Sequence, residues 1–142
     1  MEYLTPINLE IGITPIACPR PRATKYGHMF MPKKYKDWIG IFGTLAKSQY
    51  KGKPIFDCAV DITFVHRRPK SKRGNLDQYI PKCTKPDLDN CIKAVLDALV
   101  SCGVLEDDRF IYKIGAQQFY GKDKENPSIT ISLSQIKTRK KR

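Results

Sequence analysis

The sequence predicts a single α/β or α+β domain built on a mixed, four-stranded sheet with two main helices. The chain has 142 residues, which fits one compact domain. Apolar and polar residues alternate in four segments, as in strands with one buried face, and two longer segments repeat apolar residues at helical spacing. The order is strand, helix, strand, helix, strand, strand, which is typical of a sheet covered by helices.

The predicted strands cover residues 7–13, 58–64, 110–120 and 128–133. In the first, apolar residues occupy every second position from Ile7 to Ile13, with Asn8 and Glu10 among the residues between them. Such alternation places one face of a strand against a core and the other toward solvent.

Two helices are predicted, over residues 35–50 and 88–101. The apolar positions of the first are Trp38, Ile41, Phe42 and Leu45. Those of the second are Ile92, Val95, Leu96 and Leu99. Gly103 follows the second helix and is a typical stop signal, because glycine readily adopts the left-handed conformation that ends helices.

Three segments fall outside these elements. Residues 14–22 contain three prolines, so an extended or looped path is expected. Residues 66–85 form a long, basic stretch, and a loop of that length in a small domain usually has a function. Residues 136–142 form a basic tail, so we expect the folded domain to cover residues 1–135.

The chain carries a strong positive charge. Lys and Arg number 26 against 14 Asp and Glu, which gives a net charge of +12 and favours a polyanionic partner. No apolar run approaches the length of a bilayer span, so we expect no membrane association. The chain has five cysteines, an odd count, and no signal-peptide pattern, which indicates a reduced, cytoplasmic protein. None of the cysteines forms a C-x-x-C pair, so we expect no structural zinc site.

Carboxylates are scarce in this chain, so a cluster of them is informative. Asp87 and Asp89 flank Leu88 at the start of the second predicted helix. On an extended backbone the two carboxylates project to one side, where they can share a hard cation such as Mg2+. The alternative is an ordinary helix cap, which explains one aspartate but not two neighbouring like charges.

A second acidic group, Glu106, Asp107 and Asp108, follows the second helix. By itself this group is typical of a solvated turn. Together with Asp87 and Asp89 it provides further candidate ligands, because metal-assisted hydrolysis of a phosphodiester needs several carboxylates to hold the cation.

Lys93 lies four residues after Asp89, so the two side chains share a helix face. Lys93 is suited either to an ion pair within the helix or to contact with the scissile phosphate. The residues alone leave both interpretations open. Asp97, one turn further on, is a candidate partner of Lys93 and is left out of the predicted site.

Basic side chains are dense in segments that precede the acidic motif, and we expect them to bind the phosphates of a nucleic-acid backbone. They are Arg20, Arg22, Lys25, Arg67, Arg68, Lys70, Lys72, Arg73 and Lys85. Solvated surface is the alternative, and it explains this density less well. Tyr26, Phe30 and Tyr79 are candidates for stacking on unpaired bases, although packing is the commoner role of such residues.

The acidic motif is part of a longer pattern. Residues 85–90 read Lys-Pro-Asp-Leu-Asp-Asn, residues 93–99 read Lys-Ala-Val-Leu-Asp-Ala-Leu, and Asp107-Asp108 follows after a short gap. This pattern resembles the RusA family of Holliday junction resolvases, and the likeness runs over roughly residues 13–133.

The resemblance implies a dimeric endonuclease of bacterial or phage origin that depends on Mg2+, with Mn2+ as a substitute. Such an enzyme makes paired cuts across a four-way DNA junction. The implied catalytic residues are Asp87, Asp89, Asp108 and Lys93, and the candidate metal ligands are Asp87, Asp89, Asp107 and Asp108. Two alternatives stay open: a nucleic-acid-binding module without catalysis, and a nuclease of the same fold that acts on flaps or forks.

The separation of the two acidic groups bears on whether one chain completes the site. About twelve helical residues place the ends of the second helix roughly 18 Å apart. An extended segment from Ser101 to Asp108 returns at most about 23 Å. A site within one chain therefore needs the segment after Gly103 to run straight back along the helix, and otherwise Asp108 serves the partner chain. We expect the single-chain site, with the shared site as the alternative.

Overall fold

The computed structural model describes residues 2–72 and 77–137, which form a five-stranded mixed sheet and two long helices. The strands are β1 Ile7–Ile11, β2 Arg22–Ala23, β3 Met29–Phe30, β4 Cys58–His66, β5 Ile80–Pro81, β6 Ile111–Tyr120 and β7 Ser128–Gln135. The helices are α1 Lys33–Gln49 and α2 Leu88–Ser101. Short 3-10 turns cover Lys70–Lys72 and Asp108–Phe110.

The strands of the main sheet lie in the order β1-β7-β4-β6-β5, and β2 pairs with β3 in a separate ribbon. Only β4 and β6 are parallel, and the other neighbours are antiparallel. The predicted mixed sheet is confirmed, with one strand more than expected. That strand, β5, lies inside the predicted loop, and two residues are too few to show an alternating pattern.

The core lies between one face of the sheet and the two helices. Leu9, Ile62 and Ile131 are among the alternating side chains of β1, β4 and β7 that are buried on this face. Phe42 of α1 and Val95 of α2 meet them and are fully buried. This confirms the predicted amphipathic strands and helices, because burial of apolar surface is what orders both patterns.

Ile41 departs from the prediction, since 56% of its surface is exposed. Phe42 and Ala46 take the inward positions of that part of α1, and both are fully buried. Within the described ranges, no helix combines the length and apolar character that a bilayer crossing requires.

The connection from β4 through α2 to β6 determines where the acidic residues lie. Since β4 and β6 are parallel, the intervening helix must run antiparallel to both strands. The start of α2 therefore lies at the carboxyl-terminal end of β6, where Asp87 and Leu88 line a pocket with Gln117 and Phe119. The end of α2 lies at the amino-terminal end of β6, beside Asp108.

Candidate functional site

Asp87 and Asp89 stand at the start of α2, as predicted. Asp87 occupies the N-cap position with an extended backbone, but within the described part of the chain its side chain makes no capping hydrogen bond. Asp89 lies in the first turn, where one carboxylate oxygen accepts a hydrogen bond from the backbone of Asn90 at 2.9 Å. Both residues are exposed. The capping interpretation therefore does not account for Asp87, whose carboxylate stays available to a ligand.

Lys82 fixes the segment that leads into α2. This lysine is only 6% exposed. Its ammonium group donates to the carbonyl oxygens of Thr84 at 2.5 Å and Pro86 at 3.0 Å, and its own backbone N–H donates to Gln118 of β6. A buried cation is costly unless it is hydrogen-bonded, so these contacts define the path of residues 84–86. No local pattern indicates this role, because one lysine in a basic stretch resembles solvated surface.

Cys91 lies beneath the two aspartates on the inner face of α2. The thiol is fully buried. Burial raises the pKa of Cys91 to about 11, against an opposing effect of the positive charge of Lys82. A thiol that stays protonated and out of contact with solvent is no nucleophile. Cys91 is therefore no candidate for the chemistry at this end of α2, where the carboxylates of Asp87 and Asp89 are exposed.

The second acidic group lies at the other end of α2. Asp107 caps the 3-10 turn, since its Oδ1 accepts a hydrogen bond from the backbone N–H of Arg109 at 3.0 Å, and this bond lowers the pKa of Asp107. Asp107 and Asp108 line a depression of about 310 Å³ together with Asp97, Val100 and Ser101.

One chain does not bring the two acidic groups together. The residue of this depression nearest to Asp89 along α2 is Asp97, eight positions later, a distance of about 12 Å along the helix. A Mg2+ ion holds its ligand atoms at about 2.1 Å, so it cannot span that gap. Over residues 2–72 and 77–137, no group of three or more His, Cys, Asp or Glu residues could hold a metal ion.

The chain after α2 explains this separation. The backbone N–H groups of Val104 and Leu105 both donate to the carbonyl of Leu99 at 3.1 Å, which folds the segment tightly against the helix end. Leu105 also forms a parallel bridge with Ile55. The segment therefore does not run straight back along α2, and the structure corrects our preference for a site within one chain.

Lys93 and Asp97 form the ion pair that the sequence left open. Their side chains approach to 3.7 Å, and the Lys93 side chain is 61% exposed. Asp97 also accepts a hydrogen bond from the Tyr35 hydroxyl at 2.7 Å, and burial together with this bond raises the pKa of Tyr35. Asp97 thus links α2 to α1. The sequence did not predict this link, because Tyr35 is remote from Asp97 in the chain.

Comparison with known proteins identifies the family. The family model described as "Endodeoxyribonuclease RusA" matches residues 12–134. The chain belongs to the RusA endodeoxyribonuclease family. It is also 26% identical over 128 residues to a protein named crossover junction endodeoxyribonuclease RusA from Aquifex aeolicus (strain VF5), with 86% of this chain and 90% of the relative covered. The predicted enzyme class is confirmed, which excludes the non-catalytic module.

As expected of a RusA-family protein, most of the predicted DNA-binding side chains lie on the surface. The exposed ones are Arg20, Arg22, Lys25, Arg67, Lys70, Lys72 and Lys85. Arg67 donates to the side-chain oxygen of Asn126 at 3.2 Å, while Lys85 directly precedes the Pro86–Asp87 pair. Arg73 lies outside the described residues.

The structure corrects the role predicted for Arg68. It was predicted to bind DNA, but it is only 5% exposed. Its guanidinium group donates to the backbone carbonyls of Gly121, at 2.8 Å, and Gln78. It thereby ties the end of β4 to two neighbouring loops of this RusA-family fold, and we remove it from the predicted DNA-binding set.

The three aromatic candidates for base stacking are all exposed. Tyr26 is 77% exposed, Phe30 42% and Tyr79 46%. Tyr79 already donates its hydroxyl to Glu125 at 2.9 Å and packs against the ring of Phe119. Tyr26 and Phe30 lie in or beside the β2–β3 ribbon, next to the exposed arginine of β2.

Proposed function

We propose that this RusA-family protein is a Mg2+-dependent endonuclease that resolves four-way DNA junctions by paired cuts. The observation that carries the proposal is that the carboxylate of Asp87 is exposed and not used for capping. Although it stands at the N-cap of α2, its carboxylate makes no capping bond within the described chain, and it lies two residues before exposed Asp89. Two exposed, neighbouring carboxylates in a strongly basic protein favour a cation as the compensating charge.

The donor set fits a hard divalent cation, because Asp87 and Asp89 offer carboxylate oxygens. We propose that they hold Mg2+, or Mn2+ in its place, together with Asp108 and neighbouring Asp107 of a second protomer. The cation would activate water and neutralise charge on the phosphate. Sharing between two protomers is supported by the roughly 12 Å along α2 between Asp89 and the depression that holds Asp107 and Asp108. A homodimer is therefore part of the proposal.

Lys93 is proposed to meet the scissile phosphate. Its contact with Asp97 is long at 3.7 Å and largely exposed, so the pair contributes little and is readily exchanged for a phosphate oxygen. Lys93 shares a helix face with Asp89, which places its positive charge beside the carboxylates. Its role is to offset the charge that develops on the phosphate during cleavage.

The exposed basic residues are proposed to bind the junction arms through their phosphates. They lie in two segments, around β2 and after β4, and Lys85 stands two residues before Asp87. The net charge of +12 supplies the general attraction. In the described chain all five cysteines are free, which agrees with action in a reducing bacterial cytoplasm.

The test is incubation of the protein with a synthetic four-way junction and with linear duplex, each in Mg2+ and in EDTA. We expect symmetric paired cuts in the junction only, and only with the metal. Cutting of the junction in EDTA would overturn the metal requirement. Preference for a flap or fork over the junction would replace the proposed substrate by the alternative one.

A further inference from the structure

The β2–β3 ribbon projects from the domain and carries exposed apolar side chains. Every residue from 20 to 30 is exposed, so neither face of the ribbon is covered. Tyr26 and Met29, at 77% and 64%, are the most exposed of the large apolar and aromatic residues that the structure describes, and Phe30 is 42% exposed. These side chains lie outside the core, and their grouping on one small element indicates a surface that binds a partner.

The tip of the ribbon is held in one conformation by its own hydrogen bonds. The side-chain oxygen of Thr24 accepts from the backbone N–H of His28 at 3.1 Å and from that of Tyr26 at 3.3 Å. The backbone N–H of Thr24 donates to the carbonyl of His28 at 2.8 Å, and Gly27 makes the turn with a φ of +82°. Because the turn is already ordered, binding through Tyr26 costs less conformational entropy than binding through a free loop.

The chain that leads into the ribbon is anchored beside the carboxylate site. The backbone N–H of Cys18 donates to the carbonyl oxygen of Asn90 at 3.0 Å, and Asn90 directly follows Asp89 in the first turn of α2. Arg22 lies four positions after Cys18, so β2 begins within about 14 Å of that hydrogen bond. This distance corresponds to about four base steps of duplex DNA at about 3.4 Å each. A DNA segment bound at Asp89 is therefore within reach of the ribbon.

The charge around the apolar tip matches DNA. Residues 11–36 contain six Lys and Arg residues and no Asp or Glu. Arg22 lies opposite Phe30 across the ribbon, so a cation and an aromatic ring share one face. The ammonium group of Lys25 lies 5.1 Å from the centre of the Tyr26 ring. Cations beside exposed rings fit bases together with their phosphates, whereas a second copy of this basic chain would bring no compensating negative charge to them.

We propose that the β2–β3 ribbon recognises the branch point of the DNA, with Tyr26 and Phe30 stacked on base pairs that the crossover leaves without a neighbour. This inference rests on the proposed function, and it identifies the part of the protein that distinguishes branched from linear DNA. In a linear duplex every base pair is stacked on both sides, so the rings find no open face. At a branch point the stacking is interrupted, and an inserted ring replaces the missing neighbour whatever the base, because every base has a π face. Arg22 and Lys25 bind the adjoining phosphates in either kind of DNA.

Paired affinity measurements test the role of the two rings. A four-way junction and a linear duplex with the same arm sequences are titrated by fluorescence anisotropy in EDTA, so that binding is measured without a metal ion. Tyr26→Ala combined with Phe30→Ala should weaken junction binding at least about tenfold and leave duplex binding within about twofold of the wild type. Tyr26→Phe combined with Phe30→Tyr keeps both rings and should bind like the wild type. Ile41→Ala, at an exposed apolar position on α1, is the matched control and should change neither affinity.

The cations of the ribbon should respond differently from the rings. Arg22→Ala combined with Lys25→Ala should weaken binding to junction and duplex by similar factors and reduce the salt slope of each by up to about 1.8. The inference fails if the variant without both rings keeps the wild-type ratio of junction to duplex affinity, or loses affinity for both kinds of DNA alike.

A photochemical cross-link tests the same contact in the unaltered protein, where folding of a variant is not in question. 5-Iodouracil placed at the branch point of the junction should cross-link to the tryptic peptide of residues 26–33, which contains both rings. The same base in the middle of an arm should not. No cross-link, a cross-link to another peptide, or equal yields at the two positions would each overturn the inference.

The ribbon and the proposed function fail in different ways, because none of these measurements needs cleavage. A protein that selects the junction through the ribbon but does not cut it refutes the proposed function alone. A junction-specific nuclease whose selectivity survives the loss of both rings refutes the role of the ribbon alone.

Discussion

The ammonium nitrogen of Lys82 lies 3.0 Å from the carbonyl oxygen of Pro86, the residue immediately before Asp87. The same nitrogen bonds the carbonyl of Thr84, so one buried charge holds two points of the segment that presents the aspartates. The site thus depends on a cation that is closed off from the substrate, because only 6% of the surface of Lys82 is exposed.

Lys82→Met should therefore impair cleavage more than binding. The change leaves the carbonyls of Thr84 and Pro86 without their charged donor, and hydrogen bonds to charged groups contribute about 1.5–3 kcal/mol. We expect a lower melting temperature and at least about a tenfold decrease in cleavage rate, since misplacement of catalytic groups is costly. Lys36→Met, on the exposed face of α1, is the control and should match the wild type in both. Wild-type cleavage by Lys82→Met would refute the positioning role.

Asp87→Asn and Asp89→Asn should each abolish cutting while junction affinity stays equal or increases. Both changes remove a ligand charge, and both reduce the negative charge near the phosphates. Gel-shift titration and cleavage on the same labelled junction measure the two properties. Asp37→Asn, an exposed aspartate of α1, should cut normally. Cutting at the wild-type rate by either site variant would remove that residue from the site.

A mixture of inactive Asp89→Asn and inactive Asp108→Asn proteins should recover activity. With a shared site, half of the randomly assorted dimers are mixed, and each mixed dimer keeps one intact site of two, so about a quarter of all sites are functional. Such dimers should nick a junction on one side instead of making paired cuts. A mixture that stays inactive after subunit exchange would show that each chain builds its own site.

Exposed and buried arginines should respond differently to alanine substitution. Removing one side chain that binds a phosphate should reduce the salt slope of junction binding by about 0.9, so Arg67→Ala combined with Lys72→Ala should flatten it by up to about 1.8. Arg68→Ala should instead lower stability by about 1.5–3 kcal/mol, because the carbonyls of Gly121 and Gln78 lose a charged donor. Salt-dependent titrations and urea unfolding separate the two effects. A normal slope in the double variant would mean that this segment does not bind the DNA backbone.

His66 should make the folded state less stable in mild acid. Burial, aided by the positive charge of Lys82, lowers the pKa of His66 from its usual 6.5 to about 4. Between these values the unfolded chain binds a proton that the folded chain does not, so the free energy of unfolding falls as pH drops from 6.5 toward 4. Urea unfolding at pH 7 and pH 5 should show a larger decrease for the wild type than for His66→Gln. Equal decreases would show that His66 is not the group responsible.

The sequence by itself determined the main helices and strands and the family to which the chain belongs. Alternation in β1, β4 and β7 and the apolar period of α1 and α2 follow from burial of one face, which is a local property of each segment. The acidic motif and the following pair of aspartates were equally visible, because residue type and spacing are properties of the chain itself. These features also led to the RusA family, which the match over residues 12–134 confirms.

Only the tertiary structure decided which of these groups meet. The path after Gly103 depends on hydrogen bonds to Leu99 and on the bridge from Leu105 to Ile55, a residue about fifty positions away. Those interactions keep Asp108 at the far end of α2. Likewise, Lys82 and Arg68 resemble solvated charges in the sequence. Their burial depends on carbonyl groups of other segments, and no local pattern encodes such partners.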